Sequence, residues 1–321
     1  MMLKSLEIIY HWLGDSRNFL FEKNILKAHR LSVPVISVGN ISFGGVGKTP
    51  CIVWLARELS NSFKVSVVAK SYKGRLKSPA LVDPKLSDAA TVFGDEACLL
   101  AEKLPDCQVW AGPVKWKTAS MAHKNRNGLM LVDDGFSHRE LKRNFDLVLV
   151  DALAGLDGYL REKESNLSRA SAVLITKVNL AGAEKTAALK KKLQQLVKVG
   201  IFQAASVSFL NLQPQSDLFV FCALGNPAGF LRDLEMQGFI VRGKIMYADH
   251  HHYTSGDQTD LLARFSEMQK RFPRLKLVCT EKDFVKITDA ELKKQLHVPE
   301  HSLQLAENEK EDLLAQIRKS L

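Results

Sequence analysis

The stretch Val38-Gly-Asn-Ile-Ser-Phe-Gly-Gly-Val-Gly-Lys-Thr-Pro50 constrains this chain more than any other. Pro34 to Val38 (PVISV) is a short, apolar, β-branched run that predicts a buried strand, and TPCIVWLAREL from Thr49 has helical spacing. Between them, Gly44, Gly45 and Gly47 are free to take positive φ and lack a Cβ. Successive N–H groups of such a turn can curl around a phosphate at the positive end of the helix that follows. The candidate contacts are Ser42, Phe43, Gly44, Gly45, Val46, Gly47, Lys48 and Thr49. Lys48 is placed to reach terminal phosphates and Thr49 to offer its hydroxyl to Mg²⁺. The common P-loop pattern has a glycine where Ser42 stands, so the match is GGxGKT after a strand.

Further apolar runs alternate with helical patterns. Residues 64–69, 108–111, 129–133, 145–150 and 172–176 predict strands; 94–103, 113–124 and a lysine-rich surface stretch, 181–198, predict helices. This alternation predicts an α/β fold of the P-loop NTPase type, a doubly wound and mostly parallel sheet with its ligand at the strands' carboxyl ends. A second cycle begins at about Leu218, with strand FVFCAL, helix 230–237, strand 239–246, helix 257–270 and strand 275–279. Gln213-Pro-Gln-Ser-Asp217 reads as a connector. The expected units are 1–210 and a smaller α/β unit over 211–321.

A formal charge of +10 suits anionic partners without choosing among them. The cysteines Cys51, Cys98, Cys107, Cys222 and Cys279 are scattered and odd in number, which favours reduced thiols over a disulfide framework. No run approaches the roughly 18 to 20 apolar residues that span a bilayer. Residues 2–14 place Met2, Leu6, Ile9 and Leu13 on one helical face, with Trp12 and Tyr10 flanking it. Such a helix lies in a membrane interface or packs on the protein's own core. The loop Lys70-Ser-Tyr-Lys-Gly-Arg-Leu-Lys77 carries four cations and no acid, and either faces phosphate or is simply solvated.

Leu129-Met-Leu-Val-Asp133-Asp134 is an apolar strand ending in two carboxylates. Asp133 is what a nucleoside triphosphatase needs to hold Mg²⁺ opposite Thr49, and Asp134 either binds the metal through water or orients a neighbour. Phosphoryl transfer also needs a group to receive the acceptor's proton, a task for a carboxylate helped by an imidazole; Asp95 and His250 are the candidates, with Lys48 the third catalytic residue. His250, His251 and His252 raise zinc, but extended neighbours point in opposite directions and no cysteine is close.

With these residues assembled, the sequence resembles the tetraacyldisaccharide 4′-kinase family of lipid A biosynthesis. The resemblance runs from about residue 18 to about 290. It is carried by PVISVGNISFGGVGKTP (34–50), GDEA (94–97), LVDDGFSHREL (131–141), LREKE (160–164), ALGNP (223–227), ADH (248–250) and TEKDFVK (280–286). It implies transfer of the γ-phosphate of ATP to the 4′-hydroxyl of an acylated glucosamine disaccharide 1-phosphate, giving lipid IVA. It also implies two α/β/α units around a cleft and a peripheral place on the cytoplasmic face of the bacterial inner membrane, the amino-terminal helix being the membrane contact. The family's catalytic aspartate and histidine fall on Asp95 and His250, its paired metal-site aspartates on Asp133 and Asp134, and a nearby histidine on His138. Departures from the family pattern cluster in what the resemblance implies are acceptor loops: GDEA for GDEP, Ser137 for glutamine, Lys70-Ser71-Tyr72 for Arg-Gly-Tyr and a shortened GYLREKE. A monomer with no nucleic-acid partner is expected.

The competing expectation is a GTPase or ATPase switch, including the metallochaperone type. Thr176-Lys-Val-Asn179 approaches the guanine-selecting [NT]KxD pattern but has Asn179 where the carboxylate belongs, and Phe43 stands where a partition ATPase has lysine.

Overall fold

A computed structural model describes residues 20–321 apart from Glu22, Asn24, Arg126, Asn127, Gly158, Tyr159 and Asn226. The helix expected over 2–14 lies outside the described residues. The first unit is built on β1 (Val35–Asn40), β2 (Val65–Lys70), β3 (Ala80–Leu81), β4 (Gln108–Gly112), β5 (Leu129–Asp133), β6 (Phe145–Asp151), β7 (Ala172–Thr176) and β8 (Gly200–Gln203). They form an 8-stranded sheet in the order β3-β4-β2-β5-β1-β6-β7-β8. Only the short edge strand β3 runs antiparallel to its neighbour. Every residue of β1, β5 and β7 is buried, as the uninterrupted apolar runs require of strands covered on both faces.

The covering helices are α1 (Lys48–Ser60), α2 (Ala89–Phe93), α3 (Asp95–Lys103), α4 (Lys115–Asn125), α5 (Val178–Ala181) and α6 (Ala183–Leu196). On one face α1 and α3 bury Ile52, Leu55, Leu59, Cys98 and Leu100 against Ile36, Val67 and Leu131. On the other, α4 brings Ala119 and Ala122 against Val68, Met130 and Val132. Because β1 sits between β5 and β6, the chain passes over β1 in going from β5 to β6, and the carboxyl ends of β1 and β5 open side by side. Val38 is in register with Asp133, which sets the phosphate turn beside the strand that ends in carboxylates. Here β1 needs Gly39: a Cβ there would come 2.5 Å from Phe136 Cβ.

The second unit holds β10 (Asp217–Cys222), β11 (Ile240–Met246), β12 (Lys276–Val278) and β13 (Leu296–His297). They make a 4-stranded parallel sheet in the order β11-β10-β12-β13. Its helices are α7 (Pro227–Met236), α8 (Ser255–Arg271), α9 (Glu281–Phe284) and α10 (Ala290–Gln295). The start of α8 carries a capping box in which Thr254 and Asp257 satisfy each other's backbone N–H groups.

The carboxyl-terminal segment, within the span 211–321 expected for the second unit, returns to the first. β14 (Glu300–Gln304) pairs antiparallel with β9 (Ala205–Phe209), the strand that leads out of the first unit. The helix α11 (Glu307–Ser320) then packs on the first core, where Leu313, Leu314 and Ile317 are buried. Lys310 Nζ lies 3.1 Å from Glu58 Oε1 of α1. Three apolar residues on one face of an otherwise polar helix need a core to cover them, and α1 with β8 supplies it.

Candidate active site

The glycine turn is held from behind. Asn40, the last residue of β1, donates from Nδ2 to the Ser42 carbonyl at 2.5 Å, and its Oδ1 accepts from Lys48 Nζ at 3.1 Å. Thr176 Oγ1 donates to the Val46 carbonyl at 2.9 Å, and Lys177 Nζ donates to the Gly45 carbonyl at 2.7 Å while pairing with Asp151 at 2.6 Å. Gly44 and Gly47 take positive φ values of 104° and 89°, as glycine allows, whereas Gly45 does not. A Cβ built on Gly44 or Gly45 would meet nothing within 4 Å, so the turn's outer surface is open. Phe43 is exposed, with the Arg161 guanidinium 5.2 Å over its ring, and Thr49 sits half-buried in the first turn of α1.

The two aspartates after β5 have different surroundings. Asp133 is buried, and its Oδ1 has no hydrogen-bond partner. Burial and the neighbouring Glu96 push its carboxyl up to about 6, against Lys115 and Lys48. Asp134, at φ 50°, faces cations: Arg161 Nη1 at 3.3 Å, Lys48 Nζ at 3.5 Å and Lys115 Nζ at 3.9 Å. Although burial opposes ionisation, Lys115, Lys48 and Arg161 pull its carboxyl down to about 2. Lys115 also donates to the Asp134 carbonyl. A buried, unpartnered carboxylate oxygen at the end of the strand beside β1 is the donor a hard divalent cation takes, so Asp133 and Thr49 fit Mg²⁺. Asp134 fits the task of holding Lys48 and Arg161.

Asp95 begins α3 and is buried. His250, from the second unit, donates from Nδ1 to Asp95 Oδ2 at 2.8 Å, and the Glu96 N–H donates to Asp95 Oδ1 at 2.9 Å. Burial alone would raise the Asp95 carboxyl, but the His250 hydrogen bond and charge, with Lys282 and Lys286, hold it below the usual range. The hydrogen bond to Asp95 in turn raises the His250 imidazole. His250 sits at φ 58°, its N–H donating to the Ala223 carbonyl at 3.3 Å and its ring edge-on to Tyr72 at 5.1 Å. Tyr72, Lys73, Ala90 and Lys286 join the pair in lining one small cavity between the units. The His251 imidazole turns away and bonds to Asp257 at 3.1 Å, whereas His252 lines the same cavity as His250. Among the described residues no group of three or more metal-ligating side chains occurs, and no helix is long and apolar enough to cross a membrane.

These are two chemistries, a phosphate turn with a metal-type carboxylate and a carboxylate–imidazole pair, linked electrostatically through Glu96 and Lys282. The family model for tetraacyldisaccharide-1-P 4′-kinases matches residues 1–321. The chain belongs to that family. Among the relatives of this 4′-kinase family chain is the tetraacyldisaccharide 4′-kinase of Bdellovibrio bacteriovorus, 32% identical over 89% of this chain and 88% of that protein. That of Halothermothrix orenii is 31% identical over 91% and 84%. The crystal structure of LpxK from Aquifex aeolicus in complex with ATP superposes with a TM-score of 0.76 at 25% identity, covering 99% of this chain and 98% of that one.

The fold is the α/β, P-loop type the sequence predicts. Asn40, Glu96, Lys115, Arg161 and Lys282 are site residues the sequence argument did not assign. Arg161 and Lys282 stood inside quoted motifs and Glu96 follows Asp95, whereas Lys115 lies in no motif. Against the switch alternative, both ends of the Asn179 amide bond to the Ser206 backbone at 3.0 Å, so that side chain serves β9.

Proposed function

We propose that this chain is an ATP-dependent lipid kinase that transfers the γ-phosphate of ATP to the 4′-hydroxyl of an acylated glucosamine disaccharide 1-phosphate. The observation that carries this reading is the His250–Asp95 pair, which joins a proton acceptor from the first unit to an imidazole from the second. The turn from Ser42 to Thr49 cradles the triphosphate through its amides, with Lys48 on the terminal phosphates. Thr49 and Asp133 would hold Mg²⁺, which when bound would supply positive charge to offset that of the triphosphate. Asp95 accepts the proton of the sugar hydroxyl as its oxygen bonds to phosphorus and ADP leaves; His250 aims the carboxylate and keeps it ionised until then. The division of labour is between a nucleotide unit, residues 1–210 with the returning 300–321, and a smaller unit that closes the cleft.

The chain works as a peripheral monomer at the cytoplasmic face of the inner membrane, without nucleic acid, because its acylated substrate must be collected from a bilayer. The sequence of residues 2–14, whose spacing is that of an amphipathic helix with Trp12 and Tyr10 beside the apolar positions, supports that placement. Deleting residues 1–14 is expected to release the protein from anionic vesicles in a flotation assay; unchanged binding would remove this segment from that role. The function itself is tested with Mg-ATP and the disaccharide 1-phosphate. The expected product is heavier by one phosphate, with no turnover when the glycolipid is omitted. Guanine-selective binding without any need for the acceptor would sink the reading.

A further inference from the structure

The segment TEKDFVK places side chains that the scheme above leaves without a task. Thr280 caps α9, its side chain accepting from the Asp283 N–H, and this fixes where the next two residues point. Lys282 reaches out of the second unit and pairs with Glu96 in the first turn of α3. Glu281 beside it pairs with Lys103 in the last turn of the same helix. The two pairs have opposite polarity, so α3 meets α9 in one direction only.

The Lys282 ammonium faces more than Glu96. Burial works against its charge, yet Glu96, Asp95 and Asp133 together hold it above the ordinary lysine range. One cation from the second unit therefore stands among the proposed proton acceptor, the residue after it and the proposed metal carboxylate. Without it, acidic groups packed at one helix start would repel one another, and a displacement of the first turn of α3 would carry Asp95 away from His250. A misplacement of about 1 Å is enough to cost on the order of a hundredfold in rate.

We propose that Lys282 is a positioning residue for phosphoryl transfer: paired with Glu96, it sets the start of α3 so that Asp95 meets His250 beside Asp133. The inference rests on Asp95 being the proton acceptor. Lys282 acts through its pairing with Glu96. It couples closure of the second unit to assembly of the carboxylates in the first.

The test is steady-state kinetics on the full chain carrying Lys282→Met, Lys282→Arg, Lys103→Met, His250→Ala and the double change Lys282→Met/His250→Ala. Lys282→Met is expected to lower kcat about tenfold or more while KM for ATP stays within about twofold, the signature of a lost transition-state contribution. Lys282→Arg keeps the charge and should restore most of kcat. Lys103→Met loosens the same helix contact away from Asp95 and should cost less than about threefold, and the double variant should lose little beyond His250→Ala alone, since contacts in one network are not additive. A Lys282→Met enzyme within about twofold of the parent, a Lys103→Met enzyme equally impaired, or no recovery with arginine would each overturn the assignment while Asp95 kept its role. Normal turnover of Asp95→Ala would instead remove the proton acceptor on which the assignment depends.

Discussion

Replacing Asp95 with alanine is expected to lower kcat by about 10² to 10⁴ while ATP still binds, the range for loss of a general base. The expectation follows from separation of tasks within the cleft. The phosphate turn is braced by Asn40, Thr176 and Lys177, none of which touches Asp95 in the hydrogen bonds described above, so removing the carboxylate leaves the nucleotide's cradle standing. What goes is the acceptor for the hydroxyl proton and the partner of His250. Pre-steady-state turnover together with fluorescent-nucleotide binding separates the two. Near-normal turnover would take Asp95 out of the mechanism. The imidazole adds a pH-dependent check. Asp95 works deprotonated, and the His250 hydrogen bond is the leading influence that lowers its carboxyl against burial. Taking the imidazole away with His250→Gln lets the carboxyl rise, so residual activity should be lost at a higher pH as the solution is acidified; an unmoved acid limb would contradict this.

Asp283→Ala is expected to be the most damaging single change to the second unit, about 3–5 kcal/mol by the measure of other broken buried ion pairs. Asp283 is completely buried. Its carboxylate accepts from the Ala223 N–H at 3.1 Å, the Tyr253 hydroxyl at 3.0 Å and the Thr280 hydroxyl at 2.6 Å, and it pairs with Lys286 Nζ at 2.8 Å. Alanine leaves a buried ammonium without an acid and three donors without an acceptor, each at its own desolvation cost. The damage reaches function because Tyr253 closes the loop that carries His250, and the Ala223 carbonyl receives the His250 N–H. Urea unfolding reads the loss as a lower midpoint at unchanged slope. A shift worth less than about 1 kcal/mol would show that water replaces the carboxylate, contrary to the sealed packing seen here.

How much of this was legible in the sequence depends on distance along the chain. The turn at 44–49 and the carboxylates after β5 follow from local pattern, because strand, turn and helix adjoin and β-branched runs admit few alternatives. Asp95 and His250 were found as candidates only through the chemistry a kinase needs and a resemblance, since an aspartate at a helix start is ordinarily a cap. Nothing local marks Lys115. Its buried ammonium has meaning only because α4 crosses to the end of β5, and there burial lowers its pKa while Asp134 and Asp133 oppose the shift. The pairing of β9 with β14 was invisible for the same reason: two short, half-exposed strands from distant parts of the chain carry no signal that they belong together. For α11, its sparse apolar residues say that a core is needed but not which one.

That last helix has a consequence for how the protein is made. Translation delivers the phosphate turn early, yet the hydrophobic layer over α1 lacks Leu313, Leu314 and Ile317 until residues 307–320 have emerged. Domains of ordinary layout mature in the order they are synthesised. In this chain the unit encoded first is completed last, after its smaller neighbour has been threaded out along β9 and back along β14. A ribosome-bound fragment stopped short of α11 thus presents an unsealed apolar surface on the first core, the kind of patch that recruits chaperones to a nascent chain.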